Sequence, residues 1–205
     1  IAKRLGLADA VAKYAPWVKA LPGDTITLQM LATHTSGLPR VPANMDLKSI
    51  NPYKDITLAK LKSFFAGYTP LKKSGTYAYS NLGAGLLGQI LAGIVGQPYG
   101  KAVETFVLAP LGMKKTSVRL TPAMRANVVT PYFISSKGPD RVPMWDFDAL
   151  AGAGALKSSA RELAIFMGAV INPPATPLGE ALRLMITPRA QVRPNLLSMG
   201  LGWHI

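Results

Sequence analysis

The run from Leu82 to Val95 constrains this chain more than any other feature: Leu-Gly-Ala-Gly-Leu-Leu-Gly-Gln-Ile-Leu-Ala-Gly-Ile-Val, without a single charge. A membrane-spanning helix needs about 20 apolar residues, whereas 10–14 indicate a buried core helix. The apolar side chains fall all round the helical wheel, so the rest of the fold must enclose this segment on most sides. Gly83, Gly85, Gly88 and Gly93 would let neighbouring backbones approach closely, and Gly96 stands where a helix C-cap glycine belongs. The 205 residues suffice for one large domain or a domain and a half around such a helix. With 49% hydrophobic and 16% charged residues, the chain is too apolar to be disordered. Its 19 glycines and 17 prolines argue for a loop-rich α/β enzyme rather than a coiled coil.

Several further helices announce themselves at their starts. Thr27 precedes a short apolar segment ending near His34, and Thr57 opens Leu58–Phe65 with apolar residues at helical spacing. Ser159 and Glu162 have the Ser-x-x-Glu spacing of a capping box before Leu163, Ile165, Phe166, Met167 and Val170. Thr121-Pro122 and Thr176-Pro177 each pair an N-cap residue with proline at the first helical position. Strand signals are fewer, at Val128–Ile134 and Gly200–Ile205. No internal repeat or low-complexity linker is present.

Cysteine is absent, which excludes a disulfide framework and a thiolate metal site and suits an oxidising compartment. The formal charge is +13, but the cations are scattered, with the closest pairs at Lys72-Lys73 and Lys114-Lys115. No basic strip interleaved with aromatics and no nucleic-acid-binding motif appears, so a solvated basic surface is expected rather than a nucleic-acid partner. No His/Asp/Glu cluster has metal-ligand spacing, so neither a metal nor another cofactor is expected. Ile1-Ala2-Lys3-Arg4 does not read as a secretory signal and looks like the middle of a longer sequence.

The segment most suggestive of chemistry is Ser74-Gly75-Thr76-Tyr77-Ala78-Tyr79-Ser80-Asn81, just before the glycine-rich helix. A tyrosine in a loop at a helix N-terminus can be acidified by the helix dipole and nearby cations, enough to take a proton from a serine hydroxyl. Asn81 offers both a donor and an acceptor for a substrate amide. On these residues alone a structural alternative stands beside the chemical one: Tyr79 packed at a helix start and Asn81 as its N-cap. His34 could suggest a general base, yet no acid stands at a supporting spacing, so a structural turn histidine is expected. His204 has no assigned role. The absence of a Gly-x-Ser-x-Gly elbow argues against an α/β-hydrolase route.

Longer segments add context. The run Ile26-Thr27-Leu28-Gln29-Met30-Leu31-Ala32-Thr33-His34-Thr35-Ser36-Gly37-Leu38-Pro39 resembles a segment of the serine β-lactamase and DD-peptidase family, most closely of the class C kind. Tyr79-Ser80-Asn81 resembles that family's Tyr-x-Asn motif, and Gly96–Tyr99 with Val107–Thr116 resembles its Pro-Leu-Gly-Met stretch. Gly152–Leu163 and Gly200-Leu201-Gly202-Trp203 complete the similarity, in the family's order and across nearly the whole chain.

The resemblance implies an acyl-enzyme hydrolase with three motifs, a Ser-x-x-Lys nucleophile, Tyr-x-Asn and Lys-Thr-Gly. Of these, Tyr79 is expected as the catalytic proton carrier and Asn81 as a substrate-binding residue. No Ser-x-x-Lys occurs in the sequence. Thr57-Leu58-Ala59-Lys60 only imitates it, and Lys73-Ser74-Gly75 imitates the third motif from a place directly before Tyr79. The expected fold is α/β (α+β) and β-lactamase/transpeptidase-like, mostly the helical subdomain with an incomplete antiparallel sheet and more helix than strand. Residues 1–205 would be part of a single such domain, truncated at both ends, and catalytically silent alone. The full-length protein would hydrolyse a β-lactam amide; a DD-carboxypeptidase or esterase on the same scaffold, or a non-catalytic wall-interaction module, are the alternatives. The implied partners are a small β-lactam or a D-Ala-D-Ala peptide, with no nucleic acid and no transmembrane segment in this stretch, and the implied location is periplasmic or secreted.

Overall fold

The computed structural model describes residues 5–205; Ile1–Arg4, and with them the reading of the first residues as the middle of a longer sequence, lie outside the described residues. Helices dominate the described residues. They are α1 (Leu28–Ala32), α2 (Leu58–Gly67), α3 (Asn81–Val95), α4 (Tyr99–Val103), α5 (Pro122–Arg125), α6 (Ala160–Ile171) and α7 (Pro177–Met185). Four short strands, β1 (Tyr132–Ser135), β2 (Gly138–Arg141), β3 (Ala190–Arg193) and β4 (Leu197–Met199), form two separate two-stranded antiparallel sheets. The expectation of more helix than strand, with an incomplete sheet, holds.

The helix starts follow the caps read from the sequence. Hydroxyl oxygens of Thr27, Thr57, Thr121, Ser159 and Thr176 accept from the N–H groups of Met30, Lys60, Met124, Glu162 and Gly179, satisfying donors that have no partner inside their helices. At α6 only half of a capping box forms. The carboxylate of Glu162 does not turn back to its own cap but accepts from Lys115 N at 2.7 Å and Thr116 Oγ1 at 2.5 Å. It thereby ties α6 to the segment after α4.

Helix α3 is the centre of the molecule, with Leu82, Leu86 and Ile90 buried among Leu28, Leu31, Leu61, Phe65 and Leu150. Gln89, the polar residue in the apolar run, donates through Nε2 to Ala149 O at 2.9 Å. Gly85 and Gly88 allow the close backbone approach expected of them, whereas a Cβ on Gly93 would meet nothing within 4 Å. A Cβ on Gly85 would lie 2.8 Å from Leu150 Cα, and one on Gly152 would lie 2.6 Å from Ala84 O. The backbone of 149–154 therefore rests directly on the helix. Gly96 ends α3 in the left-handed conformation, at φ 67°.

Two strand expectations need correction. In Val128–Ile134 only the last three residues enter a strand, β1, where Tyr132–Ser135 pair with Gly138–Arg141. Gly200–Ile205 is not a strand. Gly200 N donates to Trp203 O at 2.7 Å around Gly202 at φ 72°, and the chain returns so that Met199 bridges His204. The apolar alternation there marks a turn and its return rather than an extended run. No helix among the described residues is long and apolar enough to cross a membrane.

Candidate active site

Tyr79 and Asn81 stand at the mouth of α3, and Ser80 between them supplies the cap. Ser80 Oγ accepts from Gly83 N at 2.9 Å and donates to Pro39 O at 2.7 Å. The structural alternative in which Asn81 is the N-cap is thereby corrected: capping falls to the buried hydroxyl, and Asn81 is already the first helical residue. Its amide is left for the cleft side, where Nδ2 donates to Tyr53 Oη at 2.6 Å.

The segment from His34 to Arg40 clamps this turn. His34 O accepts from Ala78 N at 2.7 Å, Thr35 O from Gly75 N at 2.7 Å, and Arg40 O from Leu82 N at 3.1 Å. Gly37, at φ 71°, would place a Cβ 2.7 Å from Lys72 O, so side chains are excluded where the two segments cross. The ring of Tyr79 lies 4.4 Å from that of His34, and the Arg40 guanidinium stands 5.0 Å from the Tyr79 centroid. The phenol is held between an imidazole and a cation, yet 40% of the residue is exposed.

Tyr79 and Asn81 line one cleft of about 330 Å³ with Tyr53, Trp145, Phe147 and Lys157. Its far wall is stapled. Tyr53 stacks on Phe147 at 4.4 Å, and Trp145 Nε1 donates to Ile50 O at 3.0 Å. Asp146 N donates to Asn51 Oδ1 at 3.0 Å. Burial holds the Lys157 ammonium below its usual pKa, and its Nζ donates to Val118 O at 2.9 Å. On its other side Tyr79, with His34 and His204, borders a larger hollow of about 580 Å³ lined mainly by Leu28, Leu31, Leu87 and Leu91.

The two imitation motifs have structural uses. Thr57 caps α2. Ser74 is bound by Asp24, which accepts from Ser74 Oγ at 2.7 Å and Ser74 N at 2.8 Å and is held below its usual pKa by those bonds. Sequence reasoning left Tyr53, Arg40, Trp145, Phe147 and Lys157 without roles. They come from separate loops, and of the five only Lys157 carried a local signal, since it falls within Gly152–Leu163, a segment similar to the family's; Arg40 lies one residue past the similar run Ile26–Pro39.

His34 is buried, and its Nδ1 accepts from Ser80 N at 3.2 Å. Burial, reinforced by the nearby His204, keeps its pKa below the ordinary 6.5. The neutral ring therefore contributes stability that is complete above pH 6.5 and is lost as the pH falls through the lower folded-state value. We expect the melting temperature of the chain to fall between pH 7 and pH 5, and the fall to shrink in His34→Asn; identical pH dependence in both proteins would remove His34 as a contributor.

A helix-dominated α+β domain with a tyrosine and an asparagine at the mouth of its central helix, facing a cleft, is the class this fold and site define. The β-lactamase family profile matches residues 2–205, and the chain belongs to that family. A β-lactamase of Pseudomonas fluorescens is 28% identical over 205 residues, covering 98% of this chain and 54% of its own length. The D-alanyl-D-alanine-carboxypeptidase/endopeptidase AmpH of Escherichia coli (strain K12) is 36% identical over 127 residues, covering 57% of this chain and 31% of its own. The crystal structure of a β-lactamase/D-alanine carboxypeptidase from Pseudomonas syringae superposes with a TM-score of 0.81 at 24% identity, over 99% of this chain and 54% of that one. That likeness shows the β-lactamase-type fold. The chain spans little more than half the length of these relatives, or less.

Proposed function

We propose that this chain is the Tyr-x-Asn portion of a serine acyl-enzyme hydrolase whose full-length form opens the amide of a β-lactam. The observation that carries the reading is Tyr79, exposed at the mouth of α3 on the same cleft as Asn81, in a chain matched to the family from residue 2 to residue 205. In this reaction a serine hydroxyl adds to the substrate carbonyl, the carbon–nitrogen bond breaks to leave an acyl-enzyme, and water then releases the acid. Tyr79 carries the proton from the serine towards the leaving nitrogen, and Asn81 holds the substrate's amide. The nucleophile and its lysine, and the third motif, would lie outside residues 1–205, with this chain one part of a single domain. The absence of cysteine and the family resemblance support a periplasmic or secreted protein.

Relatives named as β-lactamases and as D-alanyl-D-alanine carboxypeptidases both occur, which favours a DD-carboxypeptidase as the second reading. Turnover by the full-length protein of a chromogenic cephalosporin, a D-Ala-D-Ala peptide and a short-chain ester decides between them. Hydrolysis of none of the three, with the serine of Ser-x-x-Lys substituted, would instead make the protein a wall-interaction module. The 205-residue chain alone should form no covalent adduct with fluorescent penicillin. A labelled band on denaturing electrophoresis would mean that a nucleophile resides within it.

A further inference from the structure

His34 takes no part in the chemistry proposed above, yet it touches the reacting turn in three ways. Its carbonyl accepts from Ala78 N at 2.7 Å, its Nδ1 accepts from Ser80 N at 3.2 Å, and its ring lies 4.4 Å from that of Tyr79. Its φ is 56°, a conformation that few residues other than glycine adopt. Such a conformation is strained and persists where the surroundings over-determine it. At His34 it turns the chain out of the α1 segment and aims the ring back at Ser80.

We propose that His34 is the positioning residue of the Tyr79–Ser80–Asn81 turn: its neutral ring holds the Ser80 N–H at Nδ1 and backs the phenol of Tyr79, keeping Tyr79 and Asn81 turned to the cleft. This deepens the hydrolase reading, and it rests on that reading only for its consequence in turnover. An Nδ1 that accepts a hydrogen bond carries no proton, so the single ring proton sits on Nε2. A second proton would have to go onto Nδ1. It would oppose the Ser80 N–H and strip a buried amide of its acceptor. The groups facing the ring give no compensation. They are Tyr77 at 6.1 Å, Tyr79, and His204, whose Nε2 is 3.2 Å from Tyr77 Oη, with Arg40 beyond the Tyr79 ring. None of these is a carboxylate.

Two substitutions separate the acceptor from the ring. Asparagine tolerates positive φ and can put Oδ1 where Nδ1 stands, whereas phenylalanine keeps a ring and removes the acceptor. Imidazole and amide NMR of the full-length protein between pH 5 and pH 8 is the direct test. The expected result is an Nε2–H tautomer at pH 7.5, with the Ser80 amide and the Tyr79 ring resonances moving at the same midpoint as His34. In His34→Asn that shared step should vanish while the Ser80 amide keeps its pH 7.5 position. In the full-length enzyme His34→Phe should lower kcat on the order of 10²-fold, the scale of a misplaced reacting group, with KM little changed, and His34→Asn should restore most of the loss and remove an acid limb of the pH profile. An Nδ1–H tautomer at pH 7.5, or a Ser80 amide indifferent to His34 titration, overturns the proposal whether or not any substrate is turned over. Absence of turnover beside the expected spectra would overturn the hydrolase reading alone.

Discussion

Replacing Tyr79 by Phe in the full-length protein should slow acylation by about a hundredfold to ten-thousandfold, the range that one positioned general acid–base group supplies. The structure makes the substitution a clean one. The aromatic ring fills the space between His34 and Arg40, and phenylalanine preserves that ring. The bonds that hold the turn belong to the backbone of Ala78 and Ser80 and to the hydroxyl of Ser80. Only the phenolic oxygen is lost, so the melting temperature should stay within about 1–2 °C, as for a surface change that costs under 0.5 kcal/mol. Rapid-mixing measurement of acyl-enzyme formation with a chromogenic cephalosporin reads the effect directly. A loss of less than threefold in a well-folded variant would take Tyr79 out of the proton pathway and leave it as packing against His34.

How much of this was readable from residues alone follows from where each signal resides. The buried helix was legible because an uncharged fourteen-residue run can do little else, and its end was marked locally by Gly96, whereas its cap fell to Ser80, one residue before the Asn81 that the sequence offered. The caps at Thr27, Thr57, Ser159 and Thr176 were likewise local chemistry. Tyr79 and Asn81 could be named because a short motif and its helix are contiguous. The opposite wall could not, since Tyr53 meets Phe147 and Asn51 meets Asp146 across some ninety residues of sequence, and no periodicity encodes such a meeting. Glu162 is a mixed case: the spacing marked the cap correctly, but nothing local says that its carboxylate would be drawn to Lys115 and Thr116. The terminal Gly-Leu-Gly-Trp was misread as extended because a reversal at Gly202 leaves the same apolar alternation on either side of it.

Substitution of alanine for glycine along the single helix α3 should change stability in opposite directions depending on position. At Gly93 a Cβ would meet nothing within 4 Å on an exposed turn, so alanine brings only its better helix propensity, about 1 kcal/mol. At Gly85 the same Cβ would stand 2.8 Å from Leu150 Cα and 2.5 Å from Leu150 Cδ2. The Leu150 side chain could rotate aside, but its backbone cannot retreat easily. Ala149 N is bonded to Ile56 O at 2.9 Å and Ala149 O receives Gln89 Nε2 at 2.9 Å. Overpacking of this kind costs about 1–3 kcal/mol, more than the propensity gain. For a domain of this size each kcal/mol moves the melting temperature by about 2–4 °C, so Gly93→Ala should melt above the parent and Gly85→Ala below it. Gly152→Ala approaches the same contact from the other side, with Ala84 O 2.6 Å away, and should match the loss at Gly85. Because both substitutions crowd one interface, their combination should cost less than the sum of the two. A Gly85→Ala protein as stable as Gly93→Ala would mean that the 149–154 backbone does not lie against α3, and the cleft wall carried by Trp145 and Phe147 would lose its support.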